Sequence, residues 1–408
     1  MTQNKDNKPK AKNKWELVIS YINEKWDLRN NVISDLIEWR EKGNSEYLQC
    51  NINDLYCSLQ MDGYRFSLND IKAIVKSSLV TTYNPFNEYF DNLLPWKPGD
   101  PDYIGQIQNY VVTKDRSRFE VQLYKMLIRS IACSLCDDVF NKHIFVLISQ
   151  QNDGKSTFLR WLCPEKLKDY YTENINFADK DSHIAQTENF IINIDELATI
   201  NRADVNKLKA FISKVDDKSR RAYDAREVRR IRRANYLGST NNHEFLTDPT
   251  GNVRWICFEV DKIDFNYKKA IDIDKVWAQA YYLFKTGSNY QLTREELVEN
   301  EKNNGLYMSQ TTEMDIIQDW FVPGTKEDSD MFCTPSNLQI IIKATLNVPV
   351  KSENIGRALT YFGFKREQRF FKENGYQRKG YYLKFKSDRV NQEMLIQATF
   401  MNLVPTDF

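Results

Sequence analysis

The sequence predicts an α/β fold built on a parallel sheet, and three stretches predict it. His143 to Thr157 (HIFVLISQQNDGKST) is an apolar strand that enters a polar turn and then a helical pattern through Phe158, Leu159, Trp161 and Leu162. Phe190 to Glu196 (FIINIDE) places two carboxylates at the end of a second apolar strand, and Tyr236 to Asn241 ends a third on asparagine. Apolar runs this continuous suit strands buried on both faces.

The first stretch has the order strand, loop, helix, which a phosphate-binding loop requires. Backbone N–H groups of such a turn point inward around phosphate oxygens, and the following helix adds its positive end. Asn152, Asp153, Gly154, Lys155, Ser156 and Thr157 are the candidate nucleotide-binding residues. Lys155 would reach the β- and γ-phosphates, and the Ser156 hydroxyl would ligate Mg²⁺. Ser149 stands where the GxxxxGK[ST] pattern has its first glycine. Asp195 would hold the Mg²⁺ shell and Glu196 would polarise the attacking water; the plain alternative is a strand ending in surface acids. ATP and Mg²⁺ are the expected cofactors.

Composition excludes several classes. A chain of 408 residues with 41% hydrophobic content is long enough for two or three cores. Its net charge of +1 carries no argument about nucleic acid, so only local clusters can. No apolar run approaches bilayer length, and the lysine-rich start lacks the apolar segment of a signal peptide, so a cytoplasmic protein of a bacterial host cell is expected. The seven cysteines read as buried thiols: Cys133 and Cys136 form a single CxxC, with only three histidines in the chain.

In chain order, residues 1–14 read as a disordered basic tail and 15–98 as a helical region, with helical spacing from Trp15 to Leu28 and again from Val32 to Trp39. That region would serve assembly, DNA docking or simple packing on the core. Asn84 to Trp96 with the KPGDPDY that follows marks a boundary, and 99–305 forms the ATPase domain, entered through a helix over Phe119 to Leu135. Asn201 caps the helix carrying Val205, Leu208, Phe211 and Ile212. Lys218 to Arg233 reads as a hairpin, with strands at Arg220 to Tyr223 and Arg230 to Leu237. Its Arg226, Arg229, Arg230, Arg232 and Arg233 suit phosphate-backbone contact, or a solvated or intersubunit face. Asn241 would hold water near the γ-phosphate. Arg254, after the turn Thr247 to Gly251, would enter a neighbour's site or serve structure. Three helices and a hairpin around Glu373-Asn374-Gly375 spell a winged helix over 306–390, with Arg369, Lys372, Arg378 and Lys379 as candidate DNA contacts, before a tail at 391–408. Winged helices also serve as protein-contact modules.

With these residues assembled, the chain resembles the superfamily 3 helicases and, more closely, the virulence-associated protein E family of phages and mobile elements. Asn152-Asp153-Gly154-Lys155-Ser156, Ile192 to Glu196, Tyr236 to Asn241 and the Asp-Pro-Thr-Gly-Asn-Val-Arg-Trp run at Asp248 to Trp255 carry the resemblance, which spans about residues 84 to 290. It implies an AAA+ ring, a homo-hexamer with ATP sites between subunits, Arg254 as the arginine finger, and a hairpin that grips DNA. The expected function is an ATP-dependent replicative DNA helicase acting on single-stranded or forked DNA, with a separate primase. The alternative is an ATP-switched initiator that binds DNA without processive unwinding.

Overall fold

A computed structural model describes residues 13–173, 176–177, 179–197, 202–219, 227–246, 252–371 and 376–386. Helix α1 (Lys14–Lys25) starts from a capping box between Asn13 and Glu16. Strands β1 (Trp26–Asn31), β2 (Ile37–Glu41) and β3 (Leu48–Gln49) follow, then α2 (Ile52–Met61), α3 (Leu68–Val75) and β4 (Thr81–Tyr83). These strands form one sheet in the order β3-β2-β1-β4. This corrects the all-helical expectation for the N-terminal region, and above all the helical reading of Val32 to Trp39. The Asn31 side chain accepts from the backbone N–H of Ile33 and Ser34 at 3.0 and 3.2 Å, and Asp35 takes φ 62°. That side-chain turn reverses the chain, and Trp26 then stacks on Trp39 at 5.5 Å.

The central unit runs α4 (Pro85–Asp91), α5 (Tyr103–Gln108), β5 (Val111–Thr113), α6 (Arg116–Leu135), β6 (Ile144–Ile148), α7 (Lys155–Trp161), β7 (Tyr171–Glu173), α8 (Lys180–Glu188) and β8 (Ile191–Ile194). It continues through α9 (Arg202–Ile212), β9 (Asp216–Ser219), β10 (Val228–Ile231), β11 (Asn235–Thr240), β12 (Trp255–Ile263), α10 (Tyr267–Ala270), α11 (Ile273–Lys285) and α12 (Arg294–Gly305). Six strands form one sheet in the order β5-β12-β6-β11-β8-β7, parallel except where β5 meets β12. Along β6 the side chains alternate between two cores. Phe145 and Leu147 pack with Phe119, Leu123 and Leu127 of α6, while Ile144, Val146 and Ile148 pack with Leu208, Phe211 and Ile212 of α9. The sheet is therefore covered on both faces, as its apolar strands demand.

Helix α12 docks differently, through polar side chains. Lys125 pairs with Glu296 at 2.7 Å, and buried Arg118 donates to Asn300 Oδ1 at 2.6 Å. Asn300 and Asn304 donate to the Trp255 carbonyl at 2.7 and 2.9 Å, and Asn304 also to the Asn252 carbonyl at 2.6 Å.

Beyond α12 lie α13 (Thr312–Trp320), β13 (Phe321–Pro323), β14 (Met331–Cys333), α14 (Pro335–Leu346), α15 (Ser352–Tyr361), β15 (Arg366–Phe371) and β16 (Tyr376–Phe385). β16 pairs antiparallel with β13, β14 and β15 over a core of its own that includes Ile317, Leu338, Ile342, Leu359 and Leu383. Among the described residues, no helix is long and apolar enough to cross a membrane. Residues 1–12 of the predicted N-terminal tail, the C-terminal tail, the Asn201 cap, the Thr247 to Gly251 turn and the Glu373-Asn374-Gly375 turn lie outside the described residues, while Asn13 and Lys14, expected in the tail, begin α1.

Candidate functional site

Strand register brings the predicted residues together. Thr240 pairs with Ile148, and Gly238 with Ile194, so the loops after β6, β8 and β11 leave the sheet at one edge. Crevices at the C-terminal ends of parallel strands are where open α/β sheets take ligands. Between β6 and α7 the chain turns through Asn152 at φ 69° and Gly154 at φ 86°. Asparagine and glycine are the residues that enter this left-handed region most readily. Gly154 has a second reason to lack a side chain: a Cβ there would lie 2.4 Å from Cζ of Phe265.

The result is a cleft of about 330 Å³ lined by Asn152, Gly154, Lys155, Ser156, Thr157, Asp195, Glu196 and Asn241, together with Gln151, Ser239, Thr240 and Phe265. Asp153, half-buried in the same turn, is not part of this lining. Lys155 Nζ donates to the Ser149 carbonyl at 3.0 Å, the Ser149 hydroxyl at 3.1 Å and the Gln150 carbonyl at 2.6 Å. The serine at the first glycine position of the motif thus becomes an acceptor for the lysine. Burial draws the Lys155 pKa below the ordinary lysine value, and the nearby Asp153 and Asp195 charges oppose that shift.

Across the cleft, the Ser156 hydroxyl donates to Asp195 Oδ1 at 2.8 Å, and the Ser239 hydroxyl donates to the same oxygen. Sequence reasoning missed Ser239. Its signal was available, because a hydroxyl two residues before Asn241 lies on the strand beside the one that ends on Asp195. Glu196 is exposed at φ 52°, with its own N–H on Asp195 Oδ1 at 3.1 Å, so its side chain stands clear of the strand beside the cleft. Asp195 and Ser156 converge as hard oxygen donors, the chemistry that fits Mg²⁺.

Arg254 stands elsewhere. Trp255 pairs with Ile144, the first residue of β6, so Arg254 lies at the opposite edge of the sheet from the cleft, where Nε donates to the Ser213 hydroxyl at 3.2 Å.

The arginine-rich hairpin exists, in a shifted register. β9 and β10 pair from Val228↔Ser219 to Ile231↔Asp216, and Asn235 to Thr240 is a separate strand of the central sheet. This corrects the expected strand at Arg230 to Leu237, while the expected strand at Arg220 to Tyr223 lies outside the described residues. The break occurs because Arg232 turns inward: it is fully buried and donates to the Ile212 carbonyl at 2.7 Å and to the Asn141 carbonyl. Arg232 is thereby corrected from a DNA contact to a structural residue. Arg230 pairs with Asp35 at 3.3 Å and Arg233 with Asp137, with side chains only 15% and 12% exposed. Arg229, 72% exposed, pairs with Asp216 across the hairpin. Arg226 and Lys372 lie outside the described residues. In the C-terminal sheet Arg369 and Arg378 face each other across β15 and β16, and Lys379 is opposite Gln368. The seven cysteines are free thiols, but the expected burial holds only for Cys50, Cys133, Cys257 and Cys333; Cys136 and Cys163 are half-buried and Cys57 is exposed.

Residues 95–309 match the virulence-associated protein E-like domain model. The chain belongs to that family. No curated protein matches the sequence. Among solved structures, this virulence-associated protein E-like chain is similar to the apo C-terminal region of NrS-1 (residues 305–718), with 12% identity and a TM-score of 0.51 over 92% of this chain and 100% of that one. It is also similar to a SCCmec type IV Cch described as an active helicase, at 12% identity and a TM-score of 0.41 over 90% of this chain and 93% of that one. At such identity the NrS-1 likeness is one of fold.

Proposed function

We propose that the chain is an ATP-dependent DNA helicase of a phage or mobile element, with a P-loop NTPase core of the AAA+ type over 99–305 and a winged-helix domain over 306–390. One observation carries the reading: Lys155, Ser156, Asp195, Glu196 and Asn241, drawn from three adjacent strand ends, line a single cleft. Lys155 binds the β- and γ-phosphates. Asn152, Gly154 and Thr157 shape the cradle, with Asp153 in the same turn. Ser156 and Asp195 would hold Mg²⁺, which would supply charge neutralisation on the phosphates. Glu196 orients and deprotonates the attacking water, and Asn241 holds that water toward the γ-phosphate.

Arg254 acts in trans on this reading. Its position at the far edge of the sheet from its own cleft supports a role in a neighbouring subunit of a ring, a homo-hexamer by family analogy. Arg229 on the hairpin and Arg369, Arg378 and Lys379 on the C-terminal sheet, together with Arg226 and Lys372, contact the DNA backbone, with a separate primase as partner. Arg230 and Arg233, held in ion pairs, join them only if those pairs open.

Those engaged arginines favour a second reading, an ATP-switched initiator that binds DNA without processive unwinding. A forked-duplex assay separates the two. ATP-dependent strand separation supports the helicase; ATP-dependent binding without separation supports the initiator.

A further inference from the structure

Phe265 is an anomaly in an otherwise polar cleft. It follows β12 and is 49% exposed, one of the large apolar side chains that the cores leave out. One end of its ring packs against Gly154 closely enough to exclude a Cβ there, and Lys268 Nζ stands 5.8 Å from the ring centroid.

Strand order says which end of the cleft this is. The sheet runs β12-β6-β11-β8, with the phosphate turn after β6, Asn241 after β11, and Asp195 and Glu196 after β8. A nucleoside triphosphate with its γ-phosphate near Asp195 and Asn241 must run across the β6 turn and away from β8. Its sugar and base then come to lie toward β12. Neighbouring strands lie about 4.8 Å apart, so β12 and β8 are separated by roughly 14 Å, comparable to the reach of an extended nucleoside triphosphate.

We propose that Phe265 is the nucleobase platform of this cleft, stacking its exposed face on the base of the bound nucleotide. The inference rests on the nucleotide-binding reading of the cleft and adds the element that reads the base end of the ligand. Stacking of this kind tolerates different bases, because every base has a π face. The platform therefore predicts similar affinity for ATP and GTP.

The test is calorimetric titration of the wild type, Phe265→Ala and Phe265→Tyr with MgATP, and separately with inorganic tripolyphosphate, which has no base. The platform predicts that Phe265→Ala weakens ATP binding on the order of tenfold, leaves tripolyphosphate binding as in the wild type, and that Phe265→Tyr restores ATP affinity. Equal ATP affinity in the wild type and Phe265→Ala overturns the proposal while the phosphate site stands. Equal loss for ATP and tripolyphosphate also overturns it, since the ring would then be a wall of the phosphate cradle. A wild type that binds neither ligand overturns the nucleotide reading itself, and the platform with it.

Discussion

Ser156 and Asp195 are 39 residues apart in the chain, and the Ser156 hydroxyl donates to Asp195 Oδ1 at 2.8 Å. The contact ties the first turn of α7 to the end of β8, and Ser239 braces it from β11. A carboxylate held by two hydroxyls is oriented before any ligand arrives. Ser239→Ala is expected to lower kcat for ATP hydrolysis by roughly tenfold and to raise the Mg²⁺ concentration needed for half-maximal rate, as losses of partners behind a metal ligand do. A Mg²⁺ titration of the steady-state rate checks both; an unchanged titration curve would show that Ser239 does not orient Asp195.

Two arginines three positions apart along the same segment have opposite fates. Arg232→Ala leaves the buried carbonyls of Ile212 and Asn141 without their donor and should cost about 3 kcal/mol in denaturant unfolding. Arg229→Ala, at an exposed ion pair, should leave stability within about 0.5 kcal/mol and weaken single-stranded DNA binding, with a shallower salt dependence by fluorescence anisotropy.

Asn304 holds the carbonyls on either side of Arg254. Asn304→Leu should destabilise the protein by about 2 kcal/mol and depress kcat in parallel with Arg254→Ala, while nucleotide affinity in both variants stays near that of the wild type. Denaturation, steady-state kinetics and titration together test this. Full kcat in a folded Asn304→Leu protein would separate α12 from the Arg254 turn.

His143 is buried at the start of β6, and neither ring nitrogen has a hydrogen-bond partner among the described residues. Burial, with Arg129 the next contributor, pushes its pKa from 6.5 down to about 3. The unfolded chain therefore takes up a proton near 6.5 that the folded chain refuses until about 3, and stability falls as pH drops through that window. The slope from this group is at most about 1.4 kcal/mol per pH unit. Denaturation at about pH 7.5 and about pH 5.5 should show a smaller acid loss in His143→Phe than in the wild type.

Much of the cleft was legible because its chemistry is local. The βα turn at Gly154-Lys155-Ser156 and the carboxylates after Ile194 are read from contiguous residues, and a short, β-branched apolar run such as Ile144–Ile148, closed by a polar turn, reads as a buried strand. What escaped depends on side chains meeting over distance. The β1-β2 hairpin was hidden because Asn31, not a glycine, makes its turn. Arg232 was misread because arginine density carries no information on which guanidinium turns inward to carbonyls 20 and 91 residues away. Phe265 gave no signal at all, since its position relative to Gly154 is fixed only by the parallel register of β12 and β6. The polar docking of α12 was equally hidden, because Asn300 and Asn304 look like surface residues until Trp255 offers them a carbonyl.

The most direct test of the central claim is the steady-state ATPase rate with and without single-stranded DNA, for the wild type and for Lys155→Ala. DNA is expected to stimulate hydrolysis by the wild type, and Lys155→Ala, deprived of its phosphate contact, is expected to be inactive under both conditions. Hydrolysis that persists in Lys155→Ala, or that is indifferent to DNA in the wild type, would contradict it.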